Sequence, residues 1–301
     1  MYLTGFADEA AKDIDGQIRA TKELGWSNIE SRNIDGTNLT DISDEKFDEV
    51  RGKLEDAGVQ INCFGSAIAN WGKNVDDPNE TSLEETARAI PRMKALGTKL
   101  IRIMSYGIRK DEEGNPLDQM KDKRFEKVRR IVKRFTDEGL QPVHENCMNF
   151  GGMGWKYTLE LLENVPGLKL VFDTANPVNT PDYAGGELSR KQSAWEFYRH
   201  VKDHIAYVHI KDSRFKKDRP GEIFPQSEFT WPGEGDGDVK AIVKDLLDSG
   251  YDGGISMEPH LSVVFHDDNA GSEDEARYNS YIEYGRRFMK LLDEIGHPCK
   301  G

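Results

Sequence analysis

Ala206-Tyr-Val-His-Ile-Lys-Asp212 is a short apolar run that ends abruptly in polar side chains. The stretch from Ile205 to Ile210 suits a buried parallel strand, because both faces of such a strand are covered and no polar alternation is needed. Burial does not account for the imidazole of His209 at the far end, nor for Lys211 and Asp212 directly after it. Three more apolar runs end in the same way: Gln141-Pro-Val-His-Glu-Asn146, Lys169-Leu-Val-Phe-Asp-Thr174 and Gly254-Ile-Ser-Met-Glu-Pro-His260. Each carries one potential metal ligand at its C-terminal end: Glu145, Asp173, His209 and Glu258.

Working outward, the same unit repeats along the chain. Strand-like runs at Tyr2 to Ala7, Asn28 to Ile34, Gln60 to Gly65 and Leu100 to Met104 precede the four already named. Helical spacing falls between them. Ile14, Ile18, Thr21 and Leu24 form one stripe, Phe47, Val50 and Leu54 a second, and Phe125, Val128, Ile131, Val132 and Phe135 another. Gly25, Gly58, Gly97, Gly139 and Gly250 stand where helix stops belong. The longest irregular insert runs from Ser213 to Gly237, and the polar stretch Arg109 to Asp122 reads as a long loop. Strands alternating with helices imply a parallel sheet, and eight such units predict a closed (β/α)8 TIM barrel. An open doubly wound sheet would carry a Gly-rich phosphate turn after an early strand, and this chain has none. No linker or shift of composition divides residues 1–301, so one barrel domain is expected.

The chain of 301 residues is 37% hydrophobic and 32% charged, which suits a soluble enzyme with a well-solvated exterior. A formal net charge of -13 argues against a protein that tracks nucleic-acid phosphates. The three cysteines, Cys63, Cys147 and Cys299, are too few and too scattered for a disulfide framework or a thiolate zinc site. The N-terminus is charged too early for a signal peptide and no apolar run is long enough for a membrane span, so a cytoplasmic location is expected.

In a barrel, the C-terminal ends of strands five to eight converge. Three carboxylates and one imidazole there suit a single divalent ion such as Mn2+, Co2+ or Mg2+, with Zn2+ also compatible. The competing explanation, that strand-end carboxylates cap helices or pair with rim cations, covers any one of the four. It does not cover four breaks in four apolar strands.

The runs Val143-His-Glu-Asn, Phe172-Asp-Thr, Val208-His-Ile-Lys-Asp and Met257-Glu-Pro-His resemble those of the sugar phosphate isomerase/epimerase family, the xylose-isomerase-like barrels. The turn Pro232-Gly-Glu-Gly-Asp-Gly-Asp238 is similar to that family's segment ahead of its seventh helix. The resemblance implies that Glu145, Asp173, His209 and Glu258 bind one metal, most often Mn2+. It implies that Glu145 and Glu258 also act as acid/base groups on a sugar or keto-sugar, and that the protein forms dimers or tetramers. Ketose 3-epimerases of the family carry a histidine three residues beyond the strand-six aspartate; Asn176 stands there instead. The related abasic-site endonucleases need extra histidines that this acidic chain lacks.

A metal chelated by a carbonyl and its neighbouring hydroxyl stabilises an enediolate. Carboxylates on opposite faces can then remove and return a proton. Return to the same carbon is epimerisation, return to the next carbon is isomerisation, and loss of a β-hydroxyl is the dehydratase or lyase alternative on keto-inositols or oxidised glycosides. A non-catalytic sugar-binding barrel is the third reading.

Further candidates for substrate binding are Asn176, Lys211, His260, Trp71 and Arg214. Lys211 would polarise a substrate oxygen or pair with Asp212. Trp231 and Phe150, like Trp71, are loop aromatics that would stack on a sugar or pack locally. Glu30 and Arg32 would line the pocket or pair with each other. His144, next to Glu145, should point away from the interior. Lys216, Lys217 and Arg219 form a small basic cluster that reads as solvated surface.

Overall fold

The computed structural model describes residues 1–216, 227–261 and 273–299. Eight parallel strands form one sheet: β1 (Tyr2–Gly5), β2 (Asn28–Ser31), β3 (Gln60–Phe64), β4 (Leu100–Ile103), β5 (Gln141–Glu145), β6 (Lys169–Asp173), β7 (Ile205–Ile210) and β8 (Gly254–Met257). Its order is β1-β8-β7-β6-β5-β4-β3-β2, and a parallel bridge between Phe6 and Glu30 joins the two ends. The sheet is therefore the expected (β/α)8 barrel.

The longer helices follow the strands in turn: α1 (Ile14–Glu23), α2 (Asp44–Ala57), α3 (Glu80–Leu96), α4 (Lys121–Asp137), α5 (Trp155–Asn164), α6 (Ala194–Val201), α7 (Val239–Asp248) and α8 (Glu273–Glu294). Local chemistry sets their ends. In α2 the Ser43 hydroxyl accepts the Lys46 N–H at 3.2 Å, and Gly58, at φ 65°, closes the last turn. Phe47, Val50 and Leu54 are its buried residues, and Phe125, Val128, Ile131, Val132 and Phe135 are buried on α4. The stripes read from spacing are thus the faces laid on the barrel.

Strand pleating decides what enters the barrel. Cys63, Val143, Val171 and Tyr207 form their own small buried cluster, apart from the main core between strands and helices. The residues two positions on from the last three are Glu145, Asp173 and His209, so pleating puts these on the same inward face. On β7 the alternation continues. Tyr207, His209 and Lys211 face inward, while Val208 and Ile210 join the main core.

The structure departs from the sequence reading at several connections. The run Asn28 to Ile34 stops pairing at Ser31, and Asn33–Ile34 turns back on Thr37–Asn38. After β6 come a short helix, Asn176–Asn179, and an antiparallel pair, Pro181–Asp182 with Glu187–Lys191. The insert after β7 is not wholly irregular, since Asp212–Phe215 pairs antiparallel with Ser227–Thr230. Lys217 and Arg219 lie outside the described residues, and Lys216 pairs with Glu228.

Asp212 organises the return from that insert. Its carboxylate accepts the backbone N–H groups of Ser213, Gly233, Gly235 and Gly237, each at 2.9 Å. A Cβ on Gly235 would come within 2.3 Å of Asp212 Oδ1 and 2.6 Å of the Ser213 carbonyl oxygen. Gly235→Ala is therefore expected to destabilise the fold by about 1–3 kcal/mol. A denaturant midpoint equal to the parent's would contradict this account of the turn.

Candidate metal centre and active site

Glu145, Asp173, His209 and Glu258 meet at the C-terminal mouth of the barrel. All four are buried, and each offers one atom within 4.8 Å of the others. His209 Nε2–H donates to Glu30 Oε2 at 3.0 Å and Oε1 at 3.2 Å. That bond turns Nδ1 toward Glu145 Oε1 at 3.9 Å, Asp173 Oδ2 at 4.0 Å and Glu258 Oε2 at 4.0 Å. Carboxylate-held imidazoles of this kind are the usual supports of metal-binding histidines.

Asp173 divides its oxygens. Oδ1 accepts the N–H groups of Ala175 at 2.9 Å and Asn176 at 2.7 Å, at the start of the short helix after β6. Oδ2 has no hydrogen-bond donor, although Lys211 Nζ stands 3.1 Å away, and His209 Nδ1 is likewise unpartnered. With the Lys211 ammonium displaced from Oδ2 and Nδ1 deprotonated, both atoms would face one point that a metal ion could fill. The donor set and these two atoms fit a hard divalent ion. Glu30→Gln is expected to weaken metal binding by about 10–100-fold, measured by calorimetric titration. An unchanged Kd would mean that Glu30 does not orient His209.

The two glutamates are held alike. Arg102 donates to Glu145 Oε2 at 3.0 Å, and Arg32 donates to Glu258 Oε1 at 3.0 Å. Both guanidiniums lie over the buried Phe6 ring, at 4.7 Å for Arg32 and 5.2 Å for Arg102. Arg32 is braced in turn by Asp8 at 2.8 Å and Glu9 at 3.3 Å. Burial alone would raise the Glu145 pKa, but Arg102 and His209 outweigh it and lower it to about 2. For Glu258 burial is likewise outweighed, here by Lys211, His260 and Arg32, which hold it well below the usual range. Asp173 moves the other way, to about 6, because burial and the neighbouring glutamates exceed the pull of Lys211. Both glutamates are therefore ionised at neutral pH.

The other sequence candidates fall into three groups. Asn176 and Lys211 join the centre. Asn176 Nδ2 donates to Glu145 Oε1 at 2.9 Å, and Lys211 Nζ donates to Glu258 Oε2 at 2.8 Å. Lys211 does not pair with Asp212, because the pleat sends the two side chains to opposite faces. His260 stands beside the centre, with its N–H on Glu9 Oε2 at 2.7 Å, Nδ1 2.8 Å from Glu9 Oε1 and Nε2 3.6 Å from Glu258 Oε1. Its φ of 55° is a backbone strain that these bonds hold in place.

The remainder are not brought to the cluster. Trp71 is 49% exposed on the loop after β3, and Arg214 is exposed and donates to the Glu234 carbonyl oxygen at 3.0 Å. Trp231 packs on Tyr284 and under Arg287, and Phe150 is fully buried against Phe125 and Tyr157, so neither stacks in an open mouth. His144 points outward as expected, 2.9 Å from Ser105 Oγ, and burial lowers its pKa to about 4. Glu30 and Arg32 do not pair with each other. The sequence reading missed Arg102, Asp8, Glu9 and the pairing of Glu30 with His209. Arg102 had a signal, since it interrupts the apolar run Leu100-Ile-Arg-Ile-Met104.

The description of the xylose isomerase-like TIM barrel family matches residues 18–294. The chain belongs to that family. No curated protein matches it. Among solved structures, this xylose isomerase-like barrel is similar to a barrel of the same description from Mycobacterium smegmatis in complex with magnesium, at TM-score 0.68 and 17% identity over 98% of this chain and 97% of that one. It is similar to the probable 3-DHS dehydratase involved in petrobactin synthesis from Bacillus anthracis, at TM-score 0.66 and 15% identity over 94% and 98%. A D-allulose 3-epimerase from Methylomonas sp. in complex with D-allulose gives TM-score 0.61 and 16% identity over 96% of each chain. At these identities the likeness is one of fold. The three cysteines of this xylose isomerase-like barrel are free, and no described helix is long and apolar enough to cross a membrane.

Proposed function

We propose that this chain is a single-domain, divalent-metal-dependent isomerase or epimerase acting on a sugar or keto-sugar, with Glu145, Asp173, His209 and Glu258 holding the ion, Mn2+ foremost. The observation that carries the reading is the pair of glutamates whose inner oxygens, Glu145 Oε1 and Glu258 Oε2, face one point from strands separated by β6 and β7. A bound divalent ion would supply Lewis acidity to a carbonyl and its neighbouring hydroxyl. Glu145 and Glu258 start as bases. One removes the proton α to the carbonyl; the other, once a proton has reached it from solvent or a substrate hydroxyl, returns that proton from the opposite face. Arg102 and Arg32 hold the outer oxygens, so neither glutamate needs to reorient during transfer. His260, Trp71 and Arg214 are the candidates for meeting the rest of the substrate.

The dehydratase reading draws on Asn176. Its amide is bonded to Glu145, in the place where ketose 3-epimerases carry a histidine. One experiment separates the readings. The Mn2+-loaded protein is incubated with a panel of keto-sugars and keto-inositols in deuterated water, and the α-proton signals are followed by NMR. Exchange with a new stereocentre or a moved carbonyl supports isomerase or epimerase action. Exchange followed by elimination supports the dehydratase. A bound sugar with no exchange would leave only the binding barrel.

A further inference from the structure

We propose that Lys211 is the internal counter-cation of the four-ligand centre: its ammonium balances the carboxylates when no metal is bound, and it must give way when one enters. The inference rests on the metal reading above. Besides the His209 imidazole, Arg102, Arg32 and Lys211 touch the cluster, and these three do not touch it equivalently. Arg102 takes Glu145 Oε2 and Arg32 takes Glu258 Oε1, the outer oxygen in each case. Lys211 alone among the three reaches inner oxygens, at 2.8 Å from Glu258 Oε2 and 3.1 Å from Asp173 Oδ2. Those are the two atoms that lie 4.0 Å from His209 Nδ1, so ammonium and metal claim the same oxygens.

The chain leaves Lys211 little else to do in that state. It is 3% exposed, it follows His209 by two positions on the inward face of β7, and Thr174 pins its backbone through N–H and carbonyl bonds at 3.2 Å and 2.6 Å. The adjacent Asp212 is fully engaged by backbone N–H groups. Buried carboxylates facing one another repel unless a cation stands among them. A divalent ion entering the same space meets the ammonium's repulsion, so the affinity measured is that of an exchange. Once released from Glu258 and Asp173, the ammonium stands at the mouth, where an oxygen of the substrate would meet it.

The test is Lys211→Met and Lys211→Gln, each compared with the parent for Mn2+ affinity, by competition with a fluorescent chelator, and for melting with EDTA and with Mn2+. Both variants are expected to bind Mn2+ at least about tenfold more tightly. Their metal-free forms should melt lower, and Mn2+ should raise their melting by more than it raises the parent's. Affinity within twofold of the parent, or weaker, overturns the proposal while leaving the metal centre intact. Variants that fold only with Mn2+ support it, and variants that fail to fold even with Mn2+ overturn it. A parent protein that binds none of Mn2+, Mg2+, Co2+ or Zn2+ would instead remove the metal reading itself.

Discussion

Glu258→Gln and Glu145→Gln are each expected to lower product formation by about 10^3-fold or more in the Mn2+-loaded protein. The amide keeps the shape and a carbonyl oxygen able to face the centre, but it cannot accept a proton. The two variants should differ in a second readout. Replacing the glutamate that removes the α-proton should abolish its exchange with deuterated solvent. Replacing the one that returns a proton should leave exchange measurable while product disappears. Each change also removes a carboxylate partner, from the buried Arg102 in the case of Glu145 and from Arg32, which keeps Asp8 and Glu9, in the case of Glu258, so melting curves must accompany the kinetics. Full turnover in either variant would end the acid/base assignment.

The second large effect is on metal loading and its pH dependence. Burial by itself would lower the His209 pKa, but Glu30 and Glu145 exceed it and raise the value to about 10. Nδ1 can bind a metal only after losing its proton. Apparent Mn2+ affinity should therefore rise with pH up to about 10, by up to tenfold per unit, and level off above it. The metal-free fold should show the opposite slope. A histidine whose folded value lies above its unfolded one contributes its stability fully below the unfolded value, 6.5, and loses it as pH rises through about 10. Melting in EDTA should fall by at least about 3 °C across that window, while the Mn2+-loaded form changes less. His209→Ala should bind Mn2+ at least about 100-fold more weakly and lose the pH slope. A pH-independent affinity in the parent would show that no proton leaves on loading.

The four strand-end residues were legible because an apolar run that stops at a carboxylate or imidazole is a local pattern, visible within six or seven letters. Arg102 was legible in the same sense, as a charge inside an apolar strand, but its partner Glu145 lies 43 residues away and nothing near Arg102 names it. Trp231 and Phe150 show the reverse case. A loop aromatic reads alike whether it will meet a ligand or a neighbouring helix, and here Tyr284, Arg287, Phe125 and Tyr157 cover them. Lys211 and Asp212 looked like a pair because they are adjacent in sequence. Adjacent strand residues face opposite ways, which is the reason they are not.

By itself the sequence determined the order of the eight barrel strands and their helices, the barrel, and the four strand-end groups delivered to its mouth, because periodicity and strand ends depend only on near neighbours along the chain. Tertiary structure decided which oxygen meets which cation: Arg32 reaches Glu258 across 226 residues, and Glu30 reaches His209 across 179. Closing the sheet brings these groups together. Once they are buried, each carboxylate must find a partner within a few ångströms, and the choice among partners depends on distances that exist only in the closed barrel.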